Sequence, residues 1–206
     1  KLYEASIRAR NLRTWVVERK PVFFLLPHKL LHCLQYQGFP EVMLESSGLD
    51  SVSREQLAYA EGHSECKMVG MGLWNDGIPC NWDRTQSVEV TATSLPGLAE
   101  KHKHLRLRIT ALPSPPICPG TYHGFFEVVR WSLQQCASGT FPSVHHDGSP
   151  FHGGLDADRR KRGEAGASLG VHGCLVQVRG DWKAFKETFH LPGWKEAKGC
   201  CWMCQC

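Results

Sequence analysis

No apolar run in this chain approaches the roughly 20 residues needed to cross a bilayer, so no membrane-spanning helix and no membrane partner is expected. No secretory signal is visible either. The chain begins with Lys1 rather than Met, so a fragment or processed piece of a non-secreted protein is expected. No segment repeats, and no strong charge bias exists: the net charge is +4 over 206 residues, compatible with a nucleic-acid partner but weak support for one. What is abundant is cysteine, ten in all, without the even spread of a disulfide framework. Cys33, Cys66, Cys80, Cys118, Cys136 and Cys174 are scattered, several in apolar segments, and most of them read as buried free thiols in a reducing compartment. Cys200, Cys201, Cys204 and Cys206 crowd the end.

With 42% hydrophobic and 21% charged residues, the composition is that of a globular protein with room for one sizeable core. Residues 1–66 read as a mostly helical N-terminal region. Leu12, Trp15 and Val16 fall at helical spacing within Lys1 to Lys20, with Arg8, Arg10 and Arg13 between them. That basic side could touch DNA or simply be solvated. A second helix is expected over His28 to Gln37. Ser53 with Gln56 resembles a capping box opening a helix from Arg54 to Glu61.

From Met68 the pattern changes. Val69 to Trp74 predicts a strand, and Asp76-Gly77-Ile78-Pro79 a turn. Ser87 to Thr93 alternates, with Val88, Val90 and Ala92 on one face. Leu105 to Ala111 alternates again, with Leu105, Leu107, Ile109 and Ala111 facing one way. Phe125, Val128, Val129, Leu133 and Cys136 share one face of a helix over about Tyr122 to Ala137. Residues 138–172 are polar and read as a flexible connection carrying two features of note. Asp158-Arg159-Arg160-Lys161-Arg162 could contact phosphates or be solvated. His145-His146-Asp147 reads as exposed, with metal binding as the alternative. A strand from Cys174 to Val178 and a helix from Trp182 to His190 follow, so residues 67–206 form the second region.

Asp181 falls where that strand ends and the helix begins, in Val178-Arg179-Gly180-Asp181-Trp182. Asp76 ends the first strand in a similar way. Two carboxylates a few ångströms apart repel, and Mg²⁺ or Mn²⁺ relieves the repulsion. A pair of such ions about 4 Å apart can activate a water or a 3′-hydroxyl in phosphodiester transfer. The bland alternatives are an Asp-Gly turn for Asp76 and a helix N-cap for Asp181. Asp83, in the loop after the turn, ranks second as first carboxylate. Cys201-x-x-Cys204 supplies two of four tetrahedral zinc ligands, with Cys200, Cys206, His63 and Cys66, or residues beyond Cys206 as the others. A redox dithiol in an unrelated α/β protein is the alternative.

The order strand-strand-strand-helix-strand-helix is that of the ribonuclease H-like fold: a three-stranded antiparallel meander with a parallel fourth strand beside the first. Leu73 to Pro79, Arg179 to Trp182, Pro192-Gly193-Trp194 and Cys201-x-x-Cys204 resemble the core of CACTA-type (En/Spm-like) transposases and related transposon-derived proteins. The resemblance covers roughly residues 68–206. It implies a DDE-type acidic centre with Asp76 first and Asp181 second, a divalent metal, and a small zinc-binding insertion beginning at 199–206 with Cys201 and Cys204 as ligands. It also implies transposon-end DNA as partner and a nuclear location, and an oligomer is compatible with it. No third carboxylate fits, since Glu187 and Glu196 precede the insertion. The fragment is therefore expected to be inactive or nearly so, with a non-enzymatic nucleic-acid- or zinc-binding protein as the other reading.

Overall fold

The computed structural model describes residues 1–39, 43–83, 86–98, 105–180, 184–189 and 191. The chain opens with two antiparallel strands, β1 (Tyr3–Arg10) and β2 (Val17–Phe24), not with a helix. Tyr3, Ala5, Ile7 and Ala9 are buried, with exposed residues between them, which is the period of two that a half-buried strand requires. Leu12, Trp15 and Val16, whose spacing suggested a helix, fall in the connection, and Trp15 is 68% exposed. Pro21, which has no N–H to donate, is tolerated because β2 pairs only with β1 in this two-stranded sheet. Helices α1 (Pro27–Tyr36) and α2 (Ser51–Ser64) follow. Helix α2 begins three residues before the expected Arg54. Its N-cap is Asp50, whose carboxylate accepts from Ser53 N–H at 2.8 Å, so the Ser53 capping box is corrected to an Asp cap.

Four strands then build one mixed sheet in the order β5-β4-β3-β6, from β3 (Met68–Pro79), β4 (Ser87–Ser94), β5 (Arg106–Pro113) and β6 (His172–Gly180). The first three pair antiparallel, and β6 lies parallel to β3. Met68 to Leu73 are all buried because both faces of this central strand are covered. On one face Leu49 and Leu57 (on α2) pack with Met68 and Val176. On the other, helix α3 (Thr121–Ser138) lays Phe125, Val128 and Val129 against Leu73, Ile109 and the hairpin's Tyr3, Ile7 and Phe24. The hairpin and the sheet thus share one core. Phe125, fully buried, would cost about 3–5 kcal/mol if cut to alanine.

Three strand expectations need correction. Asp76 to Pro79 do not turn: they continue β3, with Asp76 opposite Val90 and Gly77 opposite Glu89. On β4 the buried residues include Glu89, Thr91 and Thr93, while Val88 and Val90 are only half-buried. On β5 the register shifts, so that Thr110 lies opposite Thr91 and Arg108 opposite Ala92. Ile109 is left as the extra residue of a bulge, which ends the alternation and buries Leu112 in place of Ala111.

Residues 138–172 are not a structureless connection. They carry bridges Thr140–Ser168 and Val144–Pro150, a 3₁₀ turn (Gly154–Asp156) and helix α4 (Ala157–Glu164). Phe141, Phe151 and Leu169 are buried. After β6 a short π-helical turn (Ala184–Thr188) stands within the region where a helix was expected. Among the described residues no helix is long and apolar enough to cross a membrane.

Candidate functional site at the end of the central strands

The parallel register of β3 and β6 ends with Asn75 opposite Gly180. Asp76 is the next residue on β3 and is half-buried. Asp181 follows Gly180 and lies outside the described residues, as do Cys201 and Cys204. Strand alternation puts Leu73, Asn75 and Gly77 on the face that meets α3 and turns Asp76 to the other. Among the described residues, no hydrogen bond or ion pair holds the Asp76 carboxylate. It is a hard oxygen donor of the kind Mg²⁺ or Mn²⁺ takes.

Behind it lies a buried polar network that the sequence did not reveal. Asn75 is 1% exposed. Its Oδ1 accepts from Thr91 Oγ1 at 2.7 Å, and its Nδ2 donates to Thr188 Oγ1 at 3.3 Å. Those two bonds tie β3 to β4 and to the turn after β6. Glu89, 7% exposed, sits two pairs further along, opposite Gly77, and accepts from Ser114 Oγ at 3.1 Å. Ser114 in turn lies 2.6 Å from Ser87 Oγ. A Cβ on Gly77 would stand 3.0 Å from Glu89 Oε1, so the glycine is what leaves room for the carboxylate. The only sequence signal was Glu89-x-Thr91-x-Thr93, a polar stripe opposite the Val88-Val90-Ala92 stripe.

The other candidates resolve as follows. Among the described residues no group of three or more His, Cys, Asp or Glu side chains is arranged to hold a metal. His63 Nδ1 lies 2.9 Å from Tyr59 O, and Cys66 contacts Ser64. Asp83 is exposed in the loop beyond β3. Of the six scattered cysteines only Cys118 and Cys136 are buried, and Cys66 and Cys174 are half-buried, so the expectation that most are buried is corrected; burial pushes the Cys136 thiol up. Cys33 and Cys80 are exposed.

His145 and His146 are not an exposed pair. Both Nδ1 atoms lie against Tyr3 Oη, at 3.0 and 2.6 Å, and His145 Nε2 lies 3.1 Å from Asp156. Burial pushes the Tyr3 hydroxyl up to about 12 and lowers His146. The cluster fastens β1 to the segment after α3.

Comparison with family models, with curated proteins and with solved structures finds no match for this chain.

Proposed function

We propose that this chain is a transposase-like DNA strand cleavage and transfer domain on a ribonuclease H-like core. In this reading Asp76 and Asp181 hold Mg²⁺ or Mn²⁺ at the end of the central strands. The observation that carries it is the sheet itself: an antiparallel meander β5-β4-β3 with β6 parallel to β3, and a register that runs to Asn75 and Gly180, the residues directly before the two acids. In such folds the crevice outside the carboxyl ends of parallel strands is where ligands bind. Bound divalent ions would supply charge stabilisation for the attacking and leaving oxygens of a phosphodiester. The chain's own part is to fix the carboxylates. Asn75 would contribute from beneath, since its hydrogen bonds tie β3 to β4 and to the turn after β6. With two of three acids, the 206-residue chain binds metal and transposon-end DNA with little or no catalysis. Cys201 and Cys204 would ligate Zn²⁺ together with residues elsewhere in the protein, which acts in the nucleus.

A second reading, a non-enzymatic transposon-derived nucleic-acid-binding protein, has its own support. A largely apolar cavity of about 1120 Å³ between the hairpin and β5 also carries Arg10, Arg13, Lys20, Arg106 and Arg108 on its wall, with Lys20 paired to Glu18 at 2.7 Å. That is the charge pattern a phosphate backbone selects.

Calorimetric titration with Mn²⁺ separates the two. The first reading expects saturable binding to the wild type that falls by roughly tenfold or more in both Asp76→Asn and Asp181→Asn. Equal binding by all three proteins would reject it and leave the second.

A further inference from the structure

A second cavity, of about 230 Å³, lies between helices α1 and α4, and the acidic edge plays no part in it. Lys29, His32 and Cys33 line it from α1; Asp158, Arg159 and Arg162 line it from α4; Phe141 and Lys1 complete the wall. Residues three and four apart share a helix face, so each helix presents one patch to the other.

The charges there are only partly matched. Arg159 pairs with Asp156, and Lys1 Nζ lies 3.9 Å from Asp158. Arg162 donates from Nη1 to His32 Nε2 at 3.1 Å. His32 Nδ1 lies against Leu169 O, also at 3.1 Å. This leaves the Arg162 guanidinium without a carboxylate among the described residues. Half-buried Lys29 likewise makes no ion pair there. Burial, then the nearby Arg159 and Arg162 charges, pull Lys29 down to about 8. The arrangement works against its own charge.

One further donor is idle. Arg159 is 8% exposed, and its Nε–H is buried with no hydrogen-bond partner among the described residues. A buried donor left unmade costs free energy, and so do like charges held together. A tetrahedral oxyanion would relieve both.

We propose that the cavity between α1 and α4 is a phosphate-binding pocket, with Lys29 and Arg162 as the charged contacts and Arg159 as the buried donor behind them. The phosphate belongs either to a nucleotide or free phosphate, or to a nucleic-acid strand passing over α4. The pocket is remote from Asp76. Leu31, beside His32 on α1, packs against Gly173 at the start of β6, while Asp76 stands at the far end of β3, on the order of 20 Å along the sheet.

The test is a ³¹P NMR and calorimetric titration of the full chain with inorganic phosphate, repeated with AMP and with a short single-stranded oligonucleotide. Wild type and Arg160→Gln, an exposed α4 control, are expected to bind phosphate saturably and alike. The double variant Lys29→Gln/Arg162→Gln is expected to bind at least about tenfold more weakly. Competition by AMP alone assigns the pocket to a small phosphate ligand; competition by the oligonucleotide assigns it to a strand. Linear, non-saturable uptake, or equal affinity in all three proteins, overturns the proposal. Circular dichroism on the double variant guards against misfolding, and Lys29→Arg, which keeps the charge, should retain binding. Loss of Mn²⁺ binding in Asp76→Asn would leave these results unchanged.

Discussion

Thr91 Oγ1 donates to Asn75 Oδ1 at 2.7 Å, across β3 and β4 and away from solvent. Asn75 then passes a hydrogen bond on to Thr188, so one amide joins three segments at the end of the sheet. Replacing it by leucine strands two buried hydroxyls. Asn75→Leu should lose about 1–3 kcal/mol in urea unfolding. If the network also positions Asp76, Mn²⁺ affinity should fall as well, although the carboxylates are untouched.

His28 gives the protein an acid sensitivity of known sign. It is 1% exposed, with Nδ1 2.9 Å from Ser132 Oγ. Burial, then the nearby Lys29 and Arg159 charges, lower it from 6.5 to about 3. The unfolded chain takes up this proton as pH falls below 6.5, while the folded chain refuses it until about 3. The stability this group contributes is therefore whole above 6.5 and drains between the two values, at up to about 1.4 kcal/mol per pH unit. Urea midpoints at pH 7, 5.5 and 4.5 should show that slope, and His28→Leu should flatten it.

Gly139 ends α3 with φ at +67°, and its N–H bonds to Gln135 O at 3.0 Å. A Cβ there would meet the His172 ring at 2.5 Å. Gly139→Ala should therefore cost more than the ~1 kcal/mol of a left-handed alanine alone. Thermal melts of Gly139→Ala and of the double variant with His172→Ala separate the steric part from the backbone part, since only the former is relieved by the second change.

The sheet and α3 were legible in the sequence to within about two residues at most ends, because Val88, Val90 and Ala92 alternate as a strand does while Phe125, Val128 and Val129 keep the helical period. The hairpin was not. Its buried set, Tyr3, Ala5, Ile7 and Ala9, is interleaved with Glu4, Ser6 and Arg8 and mixes small with large residues, whereas Leu12, Trp15 and Val16 offered a louder, helical spacing in what proved to be a connection. Glu89 and Thr91 were hidden for another reason. Polarity marks the solvent face only when no partner waits inside, and here Asn75 and Ser114 do. For the proposed site, the position of Asp76 beside β6 followed from the strand order, but its continuation along β3 did not, because Asp-Gly and Ile-Pro both carry turn chemistry that the pairing with Val90 and Glu89 overrides.

The fastening of Tyr3 to His146 spans 143 positions of chain. Contacts that distant in sequence form late, after loop closure has been overcome by the rest of the structure. A polypeptide growing from its N-terminus must carry the hairpin unsealed, with Tyr3 and Ile7 uncovered, until α3 and the residues after it have been made. Strand β1, made before every other described strand, is then among the last to be locked, and this exposed interval is when chaperones would have most to do.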